Sequence, residues 1–215
     1  MRAAHWPAAR DRCQASTDQN GDTTMIPTRA SDAELARYVS NIRAAWDAAT
    51  PGQLARGRAW YPVAHDLAGL IAGGDVRKGA GILAALSANT GWDRTVTLAR
   101  QCAAGDVRGH LPDALAKVTA ILAGADPATV LPMDVKTGSF YRCILDPDDP
   151  GAVVIDRHAH DIAIGETCGN RERGLSNRTR YNTLAQAYRS AARDLGELPQ
   201  VVQAVTWVRH IETSR

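Results

Sequence analysis

The sequence predicts an all-α protein, and two observations carry that prediction. Alanine-rich segments repeat apolar residues at helical spacing, as in Leu35, Tyr38, Val39, Ile42 and Trp46. Phe occurs once while Ala, Leu and Val are abundant, so the core is mostly aliphatic. At 215 residues the chain buries a real core, as one domain or two closely joined halves.

Each element follows from local signals. Residues 1–30 are polar, lack a period and are expected to be disordered, with Met25 as an alternative start. Ser31-Asp32-Ala33-Glu34 is a capping box that opens the first helix. Thr50-Pro51 starts the second, which Pro62 is expected to kink or split and Gly73-Gly74 to stop. Asp75 caps the third, whose core is Ile82, Leu83 and Leu86, and a polar elbow runs from Ser87 to Gly91. Helices are expected over Trp92 to Ala103, over Pro112 to Leu122, as a short sixth helix begun by Asp126-Pro127 and ending near Leu131, and over Thr137 to Leu145. Asp146 to Gly151 is a turn, Val153 to Ile155 is extended, and a helix follows from about Asp156 to Ile164. A polar loop from Glu166 to Arg180 precedes two last helices, Asn182 to Leu195 and Pro199 to about Ile211.

Bulk properties bound the function. A net charge of +2 and a pI near 8.4 permit a nucleic-acid partner without arguing for one. Cys13, Cys102, Cys143 and Cys168 form no C-x-x-C pair, which argues against a zinc ribbon or a local iron–sulfur cluster. They are expected to be reduced thiols of a cytoplasmic protein, with no cofactor. No apolar run is long enough to span a membrane and no signal segment opens the chain, so a soluble, intracellular protein is expected.

The candidate chemistry lies between Leu131 and Gly165. Lys136 stands at a helix start, and Asp156 follows the β-branched run Val153-Val154-Ile155. An amine and a carboxylate sharing one partly dry cleft suit reactions at an electrophilic carbon. The amine attacks to form a Schiff base, while the carboxylate stabilises a developing cation or takes a proton from water. Cleavage at a sugar's anomeric carbon uses both. The plainer alternative is a surface pair at two helix starts, with Asp156 a simple N-cap.

This stretch resembles the signature of the helix-hairpin-helix DNA glycosylase superfamily. The matching residues are Leu131-Pro132, Lys136-Thr137, Val153-Val154-Ile155 and Asp156-Arg157-His158. The segment Leu86-Ser87-Ala88-Asn89-Thr90 is similar to that family's lesion-facing elbow, with Asn89 where glutamine is usual. The resemblance covers roughly residues 75–165. It implies a two-lobed helical fold, with 75–165 as the central lobe and 31–74 with 166–215 as the terminal lobe.

It further implies that a nucleotide is rotated out of DNA into the cleft between lobes. Asp156 would be the general base or electrostatic stabiliser and Lys136 the nucleophile of a lyase-type member. Thr137 would help present a helix N-terminus to a phosphate. Ser87, Asn89 and Thr90 of the elbow would face the lesion. Tyr141, one turn after Lys136-Thr137, is a candidate for lining the cleft, with core packing the alternative, and His158 is a candidate substrate contact, with a hydrogen-bonded residue buttressing the helix start the alternative. A member acting on a modified base, as in bacteriophage DNA modification, is one form of this expectation. The family hairpin has glycines before the lysine, whereas this chain has Met133-Asp134-Val135, and Asp134 would repel a phosphate. A non-catalytic DNA-binding or protein-interaction module on the same scaffold is the alternative.

Other groups carry less. Asp156, His158, His160 and Asp161 divide between two helix faces and cannot close around one metal ion, so no metal is expected; His160 is expected to be exposed. Arg171 and Arg173 in the polar loop are candidate phosphate contacts, against the alternative of a solvated surface. Trp60, Tyr61 and Trp92 are candidates for stacking on a base, with core packing the alternative. Gln203 and Trp207 lie one turn apart on the last helix without an assigned role.

Overall fold

In the computed structural model, which describes residues 30–213, the first helix begins where the capping box predicts. Ser31 caps α1 (Asp32–Asp47), and the Glu34 carboxylate accepts from the Ser31 N–H at 2.9 Å. Thr50 and Gln53 repeat the box at the head of α2 (Pro51–Ile71). Then follow α3 (Val76–Leu86), α4 (Trp92–Ala103), α5 (Pro112–Leu122), α6 (Pro127–Val130) and α7 (Lys136–Leu145). The chain closes with α8 (Arg157–Ile164), α9 (Asn170–Arg173), α10 (Arg178–Leu195) and α11 (Pro199–Thr213). The protein is all-α, with no strand among the described residues. No helix among them is long and apolar enough to cross a membrane.

Three expectations change. α2 is not split at Pro62: Arg58 and Pro62 both lie on the exposed face, where the carbonyl that proline leaves unbonded meets water. α10 starts at Arg178 rather than Asn182, because the Asn177 side chain caps it by accepting from the Arg180 N–H at 3.1 Å. The polar loop also contains the short α9. The predicted disorder over 1–30 and the alternative start at Met25 fall outside the described residues. Cys102 and Cys143 are free and buried, whereas Cys168 is disulfide-bonded and so departs from the expected reduced state.

Two apolar clusters form the interior. The central one joins Tyr61, Ala64 and Ala68 of α2 to α3, α4, α5 and α7. The terminal one joins Tyr38 and Ile42 of α1 to α8 and α10. This partition places α2 with the central helices and α8 with the terminal ones. α11 serves both, through Ala204 in the first and Val202 in the second.

The extended run after the 146–151 turn stitches the clusters together. Ala152 and Val154 enter the central cluster while Val153 and Ile155 enter the terminal one, the alternation expected of extended backbone. The Tyr181 hydroxyl accepts from the Ile155 N–H at 3.1 Å and so satisfies a buried backbone donor. Burial pushes that phenol up to about 12.

Candidate functional site

A partly open cavity of about 110 Å³ lies against the central cluster. Lys136 and Asp156 both line it. Lys136 is the first residue of α7, and the tight hairpin before it depends on Gly138. A side chain there would collide with the Met133 backbone, so glycine lets the turn fold back onto the helix. Asp156 is the N-cap of α8, where its Oδ1 accepts from the Ala159 N–H at 2.8 Å. Its second oxygen has no hydrogen-bond partner among the described residues. Nor do Lys136 and Asp156 form an ion pair with each other among those residues. Amine and carboxylate therefore face shared space rather than neutralising one another.

Burial divides the lining into a floor and a rim. Tyr61, Ser87, Thr95, Phe140, Val154, Gln203 and Ala204 are buried, whereas Trp60, Thr90, Trp92, Lys136, Asp156 and Trp207 are half-buried. Trp60 is the hub of the aromatic wall, with ring centroids 4.8 Å from Tyr61, 4.9 Å from Trp92, 5.8 Å from Phe140 and 6.1 Å from Trp207. The edge-on and tilted geometries suit ring quadrupoles and make the wall rigid.

On the floor, the Tyr61 hydroxyl donates to Gln203 Oε1 at 2.9 Å. Burial holds the Tyr61 phenol well above its ordinary value, with nearby Cys143 and Asp156 adding to the effect, so it stays a neutral donor. The Ser87 hydroxyl donates to Ala84 O at 2.9 Å and the Thr95 hydroxyl to Gly91 O at 3.1 Å.

The structure sorts the remaining candidates by helix face. Ser87 and Thr90 line the cavity; Asn89 does not. Asn89 is exposed and adopts a left-handed backbone with φ 55°, shaping the elbow that places Thr90. On α7 the cavity face is Lys136 and Phe140, four residues apart, while Thr137 and Tyr141 do not line the cavity. Tyr141 is buried in the central cluster, and burial raises its phenol. His158 packs edge-on against His210, with centroids 5.3 Å apart, and is not part of the lining. Arg171 is exposed on α9.

Arg173 is placed elsewhere than the phosphate-contact expectation. It is buried and grips both Asp161 oxygens, at 2.9 and 2.7 Å. His160, expected at the surface, is fully buried and bonds Asp161 Oδ1 through Nδ1 at 2.9 Å. The reason is that α8 packs between α1, α10 and α11, so its polar residues must find partners indoors. His160, Asp161 and Cys168 place ligand-type atoms within 4.8 Å of one another. Arg173 and the disulfide already use that donor set, which therefore does not fit a metal.

Sequence reasoning named Trp60, Tyr61 and Trp92 as possible stacking groups but missed Thr95, Phe140 and Val154, and gave Gln203 and Trp207 no role. Helical spacing carried the missing signal. Phe140 lies four residues after Lys136, Thr95 three after Trp92 and Trp207 four after Gln203, each pair on one helix face.

No curated protein and no solved structure matches the chain. A family model does match, over residues 25–214. The chain therefore belongs to DUF7178, a family of unknown function.

Proposed function

We propose that the protein is a DNA glycosylase-like enzyme acting on the base–sugar bond, or on a modified base, of a nucleotide turned out of DNA. The observation that carries this reading is the shared cavity: Lys136 and Asp156 on the rim of a pocket walled by Trp60, Tyr61, Trp92, Phe140 and Trp207. Aromatic faces stack on bases whatever their sequence. The rim is where the sugar of a nucleotide whose base is on the floor comes to rest.

In this reading the bond between base nitrogen and C1′ breaks with its electron pair leaving on the base, which takes a proton. The Asp156 carboxylate stabilises the positive charge left on the sugar. If water adds to C1′, Asp156 accepts its proton. If the Lys136 amine adds instead and gives up a proton, sugar ring opening yields an iminium linking protein to DNA, and loss of a C2′ proton from it expels the 3′ phosphate and cleaves the strand. The cap bond from the Ala159 N–H fixes the direction of the carboxylate, so it is oriented before substrate arrives.

The hairpin departs from a phosphate grip, and Asp134 is paired with Arg178 at 2.6 Å. That pairing supports the second reading, a DNA- or protein-binding module that no longer catalyses. The deciding experiment incubates the protein with oligonucleotides carrying a panel of altered bases, with and without borohydride. Base release lost in Asp156→Asn supports the enzyme. A borohydride-trapped adduct absent in Lys136→Ala assigns the amine as nucleophile. Salt-sensitive DNA binding without base release on any substrate supports the binding module.

A further inference from the structure

We infer that Arg157, His158, Arg209 and His210 form a seat for a backbone phosphate of DNA beside the cavity, and that the seat fills with uptake of protons. This inference rests on the reading of the cavity as a nucleotide pocket and adds where the strand is held. Position is the first argument. The His158 and His210 rings pack edge-on with centroids 5.3 Å apart, joining the first turn of α8 to the last turn of α11. His158 lies two residues after Asp156 and His210 three after Trp207, both of which line the cavity. The hairpin offers no competing seat, because Asp134 brings negative charge there and pairs with Arg178.

Unpaired charge is the second argument. Elsewhere arginines are matched by carboxylates, as Arg56 is by Glu212, Arg58 by Glu197 and Arg77 by Asp126. Arg157 and Arg209 have no carboxylate partner among the described residues. Arg157 is exposed, and its Nε–H donates to His158 Nε2 at 3.1 Å. That nitrogen therefore carries a lone pair, and the ring is neutral in this arrangement. Burial lowers both imidazoles. Arg157 adds to this at His158 and Arg209 at His210, while Asp156 and Asp161 oppose it at both. The other charged neighbours are engaged: Arg173 of α9 with Asp161, Arg180 of α10 with Tyr38 and His160, Arg43 of α1 with Asp194, and Arg56 of α2 with Glu212. An arriving phosphate supplies the negative charge that favours the imidazolium form. A proton from solvent then takes His158 Nε2 and displaces the Arg157 guanidinium. Imidazolium and guanidinium both become donors to phosphate oxygens, in charge-assisted bonds.

The test titrates a labelled DNA duplex with one mismatched base pair at pH 7.5 and pH 6.0, at fixed salt. Calorimetry in two buffers of different ionisation enthalpy counts the protons taken up. Binding should tighten roughly tenfold at the lower pH, with about one proton taken up per complex. The double variant His158→Gln with His210→Gln should lose most of that tightening, with thermal unfolding checked at both pH values. Arg157→Gln should weaken binding and flatten its salt dependence. Equal affinity at both pH values without proton uptake overturns this inference while the nucleotide pocket stands. Tightening that persists in the double variant places the protons elsewhere and also overturns it. No binding of the duplex at either pH overturns the nucleotide pocket and this inference with it. The proton count uses the unaltered protein, so it decides even where the variants fail to fold.

Discussion

The Asp161 network inside the terminal cluster and the cavity handle polarity in opposite ways. Around Asp161 the charged groups close on one another. Arg173 takes both oxygens of Asp161 and His160 adds a third bond, while neighbouring Arg180 donates to the Tyr38 hydroxyl at 3.2 Å and keeps a buried Nε without a partner among the described residues. At the cavity Lys136 and Asp156 remain apart. A closed network stabilises a fold and has nothing left to offer a ligand. An open set of the same residue types is poised to receive one. Asp156 and Asp161, five positions apart on one short helix, show the contrast on a single element.

The largest test of that contrast is Asp156→Asn. Asparagine caps a helix as well as aspartate, so folding should persist. Base release should fall by roughly 10²- to 10⁴-fold, the usual worth of a general base. Unchanged release from an intact fold would remove Asp156 from the chemistry. Arg173→Ala makes the opposite prediction. It strands the buried Asp161 carboxylate and should cost about 3–5 kcal/mol in denaturant unfolding. A loss under 1 kcal/mol would mean that the terminal network is looser than its bond lengths imply.

Next in size is Gly57→Ala, which probes how α2 and α11 are pressed together behind the cavity. An added Cβ would run into Val205, backbone as well as side chain. Overpacking of this kind should cost about 1–3 kcal/mol. Because Trp60 and Gln203 sit on these two helices, the tryptophan emission should shift as well.

The smallest effect is the response to pH. Burial lowers the His160 imidazole below its ordinary 6.5, against the opposing hydrogen bond that its Nδ1–H donates to Asp161. Burial lowers His158 and His210 in the same direction. A lowered value means that the unfolded chain binds the proton first. The stability is complete above about pH 6.5 and is lost as pH falls from there through the lowered folded-state values. For His160 the slope is at most about 1.4 kcal/mol per pH unit. Asp161 contributes nothing in this window. Burial raises its carboxyl, but the bonds from Arg173 and His160 outweigh that and hold it below 3.8. Unfolding in denaturant at pH 7 and pH 5.5 reads the slope, and His160→Asn should flatten it.

Much of the helical frame was legible because its signals are local. The Ser31 and Thr50 boxes, the Asp75 and Asp126 caps and the prolines at helix starts depend only on neighbours three or four residues away. The cavity pair was legible from motif and spacing, and the structure brings Lys136 and Asp156 to one cavity. What stayed hidden depends on distant packing. Nothing near His160 in sequence announces that α1, α10 and α11 will enclose it. Nothing local says that Arg173 will turn inward to Asp161 while Arg171 stays out. Tyr141 takes its core alternative, and Phe140, one residue away in helical phase, forms the cavity wall.

The central claim is that an everted base enters the aromatic-walled cavity with its sugar between Lys136 and Asp156. The most direct measurement is a crystal structure of the protein with an oligonucleotide whose target nucleotide carries a 2′-fluorine to slow base release. The account predicts a base among Trp60, Trp92 and Phe140, with C1′ beside the Asp156 carboxylate. DNA bound on another face, with the base still stacked in the strand and the cavity empty, would contradict it.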